Sequence, residues 1–192
     1  MRLRWLTGAL LLAAGLAALA GGPPAAKTVR QFARPAEVQG LSVVGRAEFY
    51  PDGALESATL AREAVFGDTR LPARSILHLT PEGEPDWCFL PADTRLQGHT
   101  WQGGGDDWMT CFYPSGRVKS GGLAAEELID GIPCDVGTFW TETFGGGGRT
   151  ALHENGRLAF ARVAREISVQ SRRLKRGQHV RLDETGRLLD AR

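Results

Sequence analysis

Large apolar residues stand at Phe49, Leu79, Phe112, Leu152 and Leu182, and around them apolar and polar positions alternate, as in Leu77, Leu79 and Val180, Leu182. That alternation is the period of a half-buried strand, whose successive side chains point to opposite faces. Each of the five precedes by four positions the glycine of a turn tripeptide: Pro51-Asp52-Gly53, Pro81-Glu82-Gly83, Pro114-Ser115-Gly116, Glu154-Asn155-Gly156 and Glu184-Thr185-Gly186. The glycines are separated by 30, 33, 40 and 30 residues. A Gly after a polar residue lets the chain take a positive φ where one strand reverses into the next.

The register continues beyond each turn. Five positions after the glycine come small residues, Ala58, Cys88, Gly121, Ala161 and Ala191. Seven after it come Leu60, Leu90, Leu123 and Val163, and ten after it Glu63, Asp93, Glu126 and Glu166. Apolar-x-Gly triplets close three units (Val65-Phe66-Gly67, Leu96-Gln97-Gly98, Ile129-Asp130-Gly131), Val169-Gln170-Ser171 closes the fourth, and Val38-Gln39-Gly40 is the tail of an incomplete unit before the first turn. Leu123–Asp130 could locally form a helix, but its counterparts carry Gly or Pro and argue against one. The expected fold is all-β, an antiparallel β-meander of four to five hairpin repeats of about 30 residues, single-layered or rolled, each unit a hairpin plus a looped return. Helix is expected only in the first segment.

Strand, polar residue, Gly, apolar residue, a Leu-Ala pair and a later apolar-x-Gly together resemble the variant membrane-occupation-and-recognition (MORN-like) repeats and the related antitoxin-type repeat proteins of bacteria. The likeness covers about Gly40 to Arg192, and the Tyr-x-Gly element of those repeats is missing here. What the resemblance implies is an antiparallel β-meander with no catalytic residues to carry over.

Composition adds a compartment. Met1 to Arg4 holds two arginines, Trp5 to Ala20 is uncharged and rich in Leu and Ala, and Ala18-Leu19-Ala20 puts small residues two apart. These are the parts of a secretory signal peptide over residues 1–20, cleaved after Ala20. Its apolar stretch falls short of the roughly 20 residues that span a bilayer, so no stable membrane span is expected after cleavage. Residues 21–36 are small and Pro-rich and read as a flexible linker, which leaves 37–192 as the β-repeat domain. The expected location is periplasmic or secreted. The chain's 23 basic and 22 acidic side chains give no overall attraction to nucleic acid, but residues 157–192 hold ten Lys or Arg against four Asp or Glu.

The chemistry is sparse. Cys88, Cys111 and Cys134 are 23 residues apart each time, and in an oxidising compartment one disulfide among them is expected, with the pairing open. Their spacing does not suit zinc, and no metal or cofactor is expected. His78, His153 and His179 fall at strand positions beside turns, and the recurring acids open the loop after each strand. The two longer intervals add Trp101 to Trp108, which includes Asp106 and Asp107, and Thr138 to Arg149, which includes Phe139 and Trp140. In stacked repeats, insertions at equivalent places emerge on one face, often the binding face. Trp101, Asp106, Asp107, Trp108, Phe139 and Trp140 are therefore the candidate contact residues for an envelope or extracellular protein or glycan. The expected function is that of an exported structural or binding module without catalysis. The alternative is a secreted hydrolase with a carboxylate site near Asp106 and Asp107.

Overall fold

A computed structural model describes residues 26–105, 107–137 and 148–192. Alternation and turn chemistry yield antiparallel strands throughout, and no helix occurs among the described residues. β1 (Thr28–Val38) pairs with β2 (Leu41–Phe49), and the first Gly turn leads into β3 (Leu55–Leu60). The return is itself a small hairpin, β4 (Ala64–Phe66) with β5 (Thr69–Leu71), before β6 (Ile76–Leu79), the second turn and β7 (Pro85–Phe89). The pattern repeats as β8 (Thr94–Leu96) with β9 (His99–Trp101), then β10 (Met109–Phe112) and β11 (Val118–Gly122). It repeats again as β12 (Glu127–Ile129) with β13 (Ile132–Cys134), then β14 (Arg149–Leu152) and β15 (Leu158–Arg162). It closes as β16 (Ile167–Val169) with β17 (Arg172–Leu174), then β18 (His179–Leu182) and β19 (Leu188–Ala191). The long strands form one 11-stranded sheet in the order β1-β2-β3-β6-β7-β10-β11-β14-β15-β18-β19.

All five Gly turns join antiparallel strands with the same bonds. The residue three before each glycine accepts from the glycine N–H, as in Gly53 N to Tyr50 O at 2.9 Å, and each turn glycine has φ between 81° and 89°. A one-residue register shift follows in every hairpin, where Phe49 faces Leu55 and Leu182 faces Leu188. The turns are also tied to one another. Tyr50 donates its hydroxyl to Leu79 O, Tyr113 donates its own to Leu152 O, and His153 Nε2 lies 2.9 Å from Leu182 O.

The small hairpins fold back over one face of the sheet, so that their tips reach the Gly turns. At the tip of the β16–β17 hairpin Gln170 accepts from Leu188 N and donates to Gly186 O, and Gln39, in the turn between the long strands β1 and β2, does the same at Leu55 and Gly53. Gln97 accepts from Val118 N, and Asp130 from Leu158 N. The tip residue thus satisfies a backbone group at the turn that the strand ladder leaves unpaired. The β4–β5 hairpin differs. Gly67, with φ +53°, occupies the position of those side chains, and the corresponding turn has Pro85 with no N–H to satisfy. Its tip packs instead on the next turn, where Thr69 donates to Gly116 O at 2.6 Å.

The core lies between the sheet and this hairpin layer. Phe49, Leu79, Phe112, Leu152 and Leu182 are buried, as are Leu60, Leu90, Leu123 and Val163. From the small hairpins come Leu71, Trp101, Cys134 and Leu174, and from β2 comes Val43, each three residues past its tip turn and each buried. The small residues of the sheet admit them closely. A Cβ on Gly121 would stand 2.7 Å from Trp101 Cε3.

Three expectations change. The returns are hairpins, so the sheet has a second layer on one face. Thr28–Val38, most of it read as linker, is strand β1; its Pro35 is tolerated because β1 is an edge strand, whose register shifts between Phe32 and Ala36. No disulfide forms: Cys88, Cys111 and Cys134 are all free. Cys88 faces Thr110 across the β7–β10 pair while Cys111 faces Trp87, so the two thiols point to opposite sides of the sheet. Cys134 sits in the hairpin layer, and burial pushes the Cys88 and Cys134 thiols up to about 12, which keeps both protonated. The proposed signal segment lies outside the described residues.

Candidate binding face

The residues expected at the contact surface separate. Trp101 is fully buried and donates its indole N–H to Leu96 O at 3.2 Å, so it is a core residue and presents nothing to a partner. Trp108 is half-buried against Gly122, whose added Cβ would meet its ring at 3.1 Å, and Asp107 is exposed. Asp106, Phe139 and Trp140 lie outside the described residues. The first insertion joins β9 to β10, at the end of the sheet opposite the Gly turns, and most of the second, residues 138–147, lies outside the described residues. Among the described residues no group of three or more His, Cys, Asp or Glu is placed to hold a metal, and no helix is long and apolar enough to cross a membrane.

The geometry directs attention to the sheet face on which no described strand is packed. From β2 to β10, one row of that face runs Glu48, Ser57, His78, Trp87 and Cys111. It continues as Ser120, Ala151, Phe160, Arg181 and Asp190. A neighbouring row carries Ile76, Phe89 and Met109 on β6, β7 and β10. Trp87, Phe89, Met109 and Phe160 are half-buried, and Ile76 is exposed. Farther along, the same row presents Arg149, Arg162 and His179. Arg149 donates to Met109 O at 2.7 Å and approaches Cys111 Sγ at 3.2 Å.

The two ends of this face differ in charge. At the N-terminal end His78 stacks on Trp87, with ring centroids 4.7 Å apart and planes within 9°. Its Nε2 is 3.5 Å from Glu56 Oε1 and its Nδ1 3.4 Å from Asp86 Oδ2. Glu56 is buried and accepts from the Lys27 ammonium; that bond holds its carboxyl below the usual carboxylate range and raises Lys27. Burial raises the neighbouring Tyr50 hydroxyl. At the C-terminal end Phe160 stacks on His179 at 5.5 Å, and the Arg181 guanidinium lies 5.9 Å from the Phe160 centroid.

Sequence reasoning missed Trp87, Phe89, Met109 and Phe160 as surface residues. The signal lay in the position four after each turn glycine, where Ser57, Trp87, Ser120, Phe160 and Asp190 range from Ser to Trp, directly before a position that is always small. The chain matches no protein-family model, no curated protein and no solved structure.

Proposed function

We propose that the protein is an exported binding module, without catalytic activity of its own, whose partner docks on the uncovered face of the 11-stranded sheet. One observation carries the reading. The covered face repeats its residue types from unit to unit, whereas the opposite face gathers Trp87, Phe89, Met109 and Ile76 on three adjacent strands, where no second layer is packed among the described residues. Aromatic side chains supply large contact area at small entropic cost, and contiguous apolar surface on a soluble domain marks interaction sites. Trp108 and Asp107 stand at the loop end of the sheet and extend the proposed surface there. Resemblance to MORN-like repeats belongs to the same proposal, a repeated hairpin scaffold that presents a face. Export rests on the charged, apolar and small-residue pattern of residues 1–20.

The test compares Trp87→Ala/Phe89→Ala/Met109→Ala with the unaltered mature chain for retention on the producing cell's envelope fraction, with thermal unfolding as control. Retention is expected to fall at least tenfold while the transition stays cooperative. Unchanged retention by a folded triple variant would overturn the reading.

A further inference from the structure

At the C-terminal end of the uncovered face, Phe160, His179, Arg181, Asp190 and Arg192 line a depression of about 220 Å³. Its floor is the stacked Phe160–His179 pair. Two guanidinium groups border it, Arg181 over the Phe160 ring and Arg192 with its Nε 2.7 Å from Asp190 Oδ2. His179 Nε2 is shielded from solvent and finds no hydrogen-bond partner among the described residues. The lining sets two guanidinium groups, Arg181 and Arg192, against one carboxylate, Asp190, so its side chains carry a net positive charge.

The chemistry of the lining selects among anions. A bare phosphate gains from the arginines but meets the Asp190 carboxylate and makes no use of an aromatic floor. An acidic peptide such as polyglutamate can donate backbone N–H groups to Asp190 but offers no flat apolar face to the floor. A sugar ring bearing a carboxylate engages the floor, a guanidinium and Asp190 together: its apolar face lies on the Phe160–His179 floor, its carboxylate takes the planar fork of a guanidinium, and its hydroxyls donate to Asp190. The depression is smaller than the roughly 300–1,000 Å³ of a drug-sized pocket, which fits one ring. We infer that it binds a uronic-acid residue of an anionic polysaccharide. This rests on the uncovered face being a contact surface and names the ligand class for one end of it.

The mature chain is titrated calorimetrically with trigalacturonate, with neutral galactotriose and with hexaglutamate. Trigalacturonate is expected to bind, with the other two at least tenfold weaker, and its affinity falls as salt rises because charge-assisted contacts at an exposed site are screened. Arg181→Ala/Arg192→Ala is expected to weaken trigalacturonate at least tenfold. Phe160→Ala does the same and Phe160→Tyr, which keeps the ring, restores binding; circular dichroism confirms that each variant is folded. No trigalacturonate binding, or binding indifferent to the double arginine variant, overturns the inference. Equal affinity for hexaglutamate overturns it in favour of an acidic protein partner. If trigalacturonate fails while the Trp87 triple variant still loses envelope retention, the sugar site falls and the contact face stands; if only that retention test fails, the face reading falls and the sugar result stands by itself.

Discussion

The two faces of the long sheet are built from the same strands and follow opposite rules. On the covered face the units repeat one another: a large residue four before the turn glycine, a small one five after it and, in the first four, a branched aliphatic seven after it, all because a hairpin must seat at the same height each time. On the uncovered face the register is as strict but the residue types are free, so Ser57, Trp87, Ser120, Phe160 and Asp190 stand at equivalent places. Repetition in this chain reports packing. Departure from repetition at a registered position reports something that packing does not require.

The largest effect should come from the covered face. Trp101→Ala empties a fully buried site and is expected to cost about 3–5 kcal/mol by denaturant unfolding, and Gly121→Ala, which drives a Cβ into the Trp101 ring, about 1–3 kcal/mol. Because the two side chains share one space, Trp101→Leu combined with Gly121→Ala should recover much of the loss. At the equivalent places of another unit stand Leu174 and Ala191. Additive losses in the double variant would show that the two residues do not pack as described.

A smaller effect is expected at the hairpin tips. Gln170→Ala removes two hydrogen bonds to the last turn and should cost about 1 kcal/mol, whereas Gly67 offers no such bond to remove. On the uncovered face Trp87→Ala should change stability by about 1 kcal/mol or less, since the ring is half-buried and its removal opens to solvent rather than leaving a closed cavity.

The smallest effect is one of pH. Glu56 is held below its ordinary value in the folded state, so its contribution is fully present above the unfolded carboxylate value of about 4.3 and is lost as pH falls through the folded one. The urea midpoint of the unaltered chain should therefore drop more between pH 6 and pH 3 than that of Glu56→Gln. Parallel curves would mean that the Lys27 bond does not form in solution.

How much of this was legible in the sequence follows from the length of each signal. The five Gly turns and the buried residues before them were legible because they recur with a polar-Gly pair that demands one backbone conformation. The return hairpins were not, since three-residue strands are too short to show alternation, and their tip turns use Gln-Gly, Asp-Gly and Gln-Ser, with φ positive at both residues. The triplet Val65-Phe66-Gly67 is also out of step by one: structurally Gly67-Asp68 matches Gln97-Gly98. Trp101 and Trp108 looked alike because they share one Gly-rich stretch. Only the β8–β9 pairing, Thr94 with Trp101, shows that Trp101 occupies the core position of Val43 and Leu71.

The central claim is that one face holds the fold and the other holds the partner. It is tested most directly by measuring envelope retention and unfolding free energy on the same preparations of Trp101→Leu/Gly121→Ala and of Trp87→Ala/Phe89→Ala/Met109→Ala. The expected result is a separation, with the first variant altered in stability but retained at the level of the unaltered chain, and the second folded but released. Retention that tracks stability in both, or that survives the second variant, would contradict it.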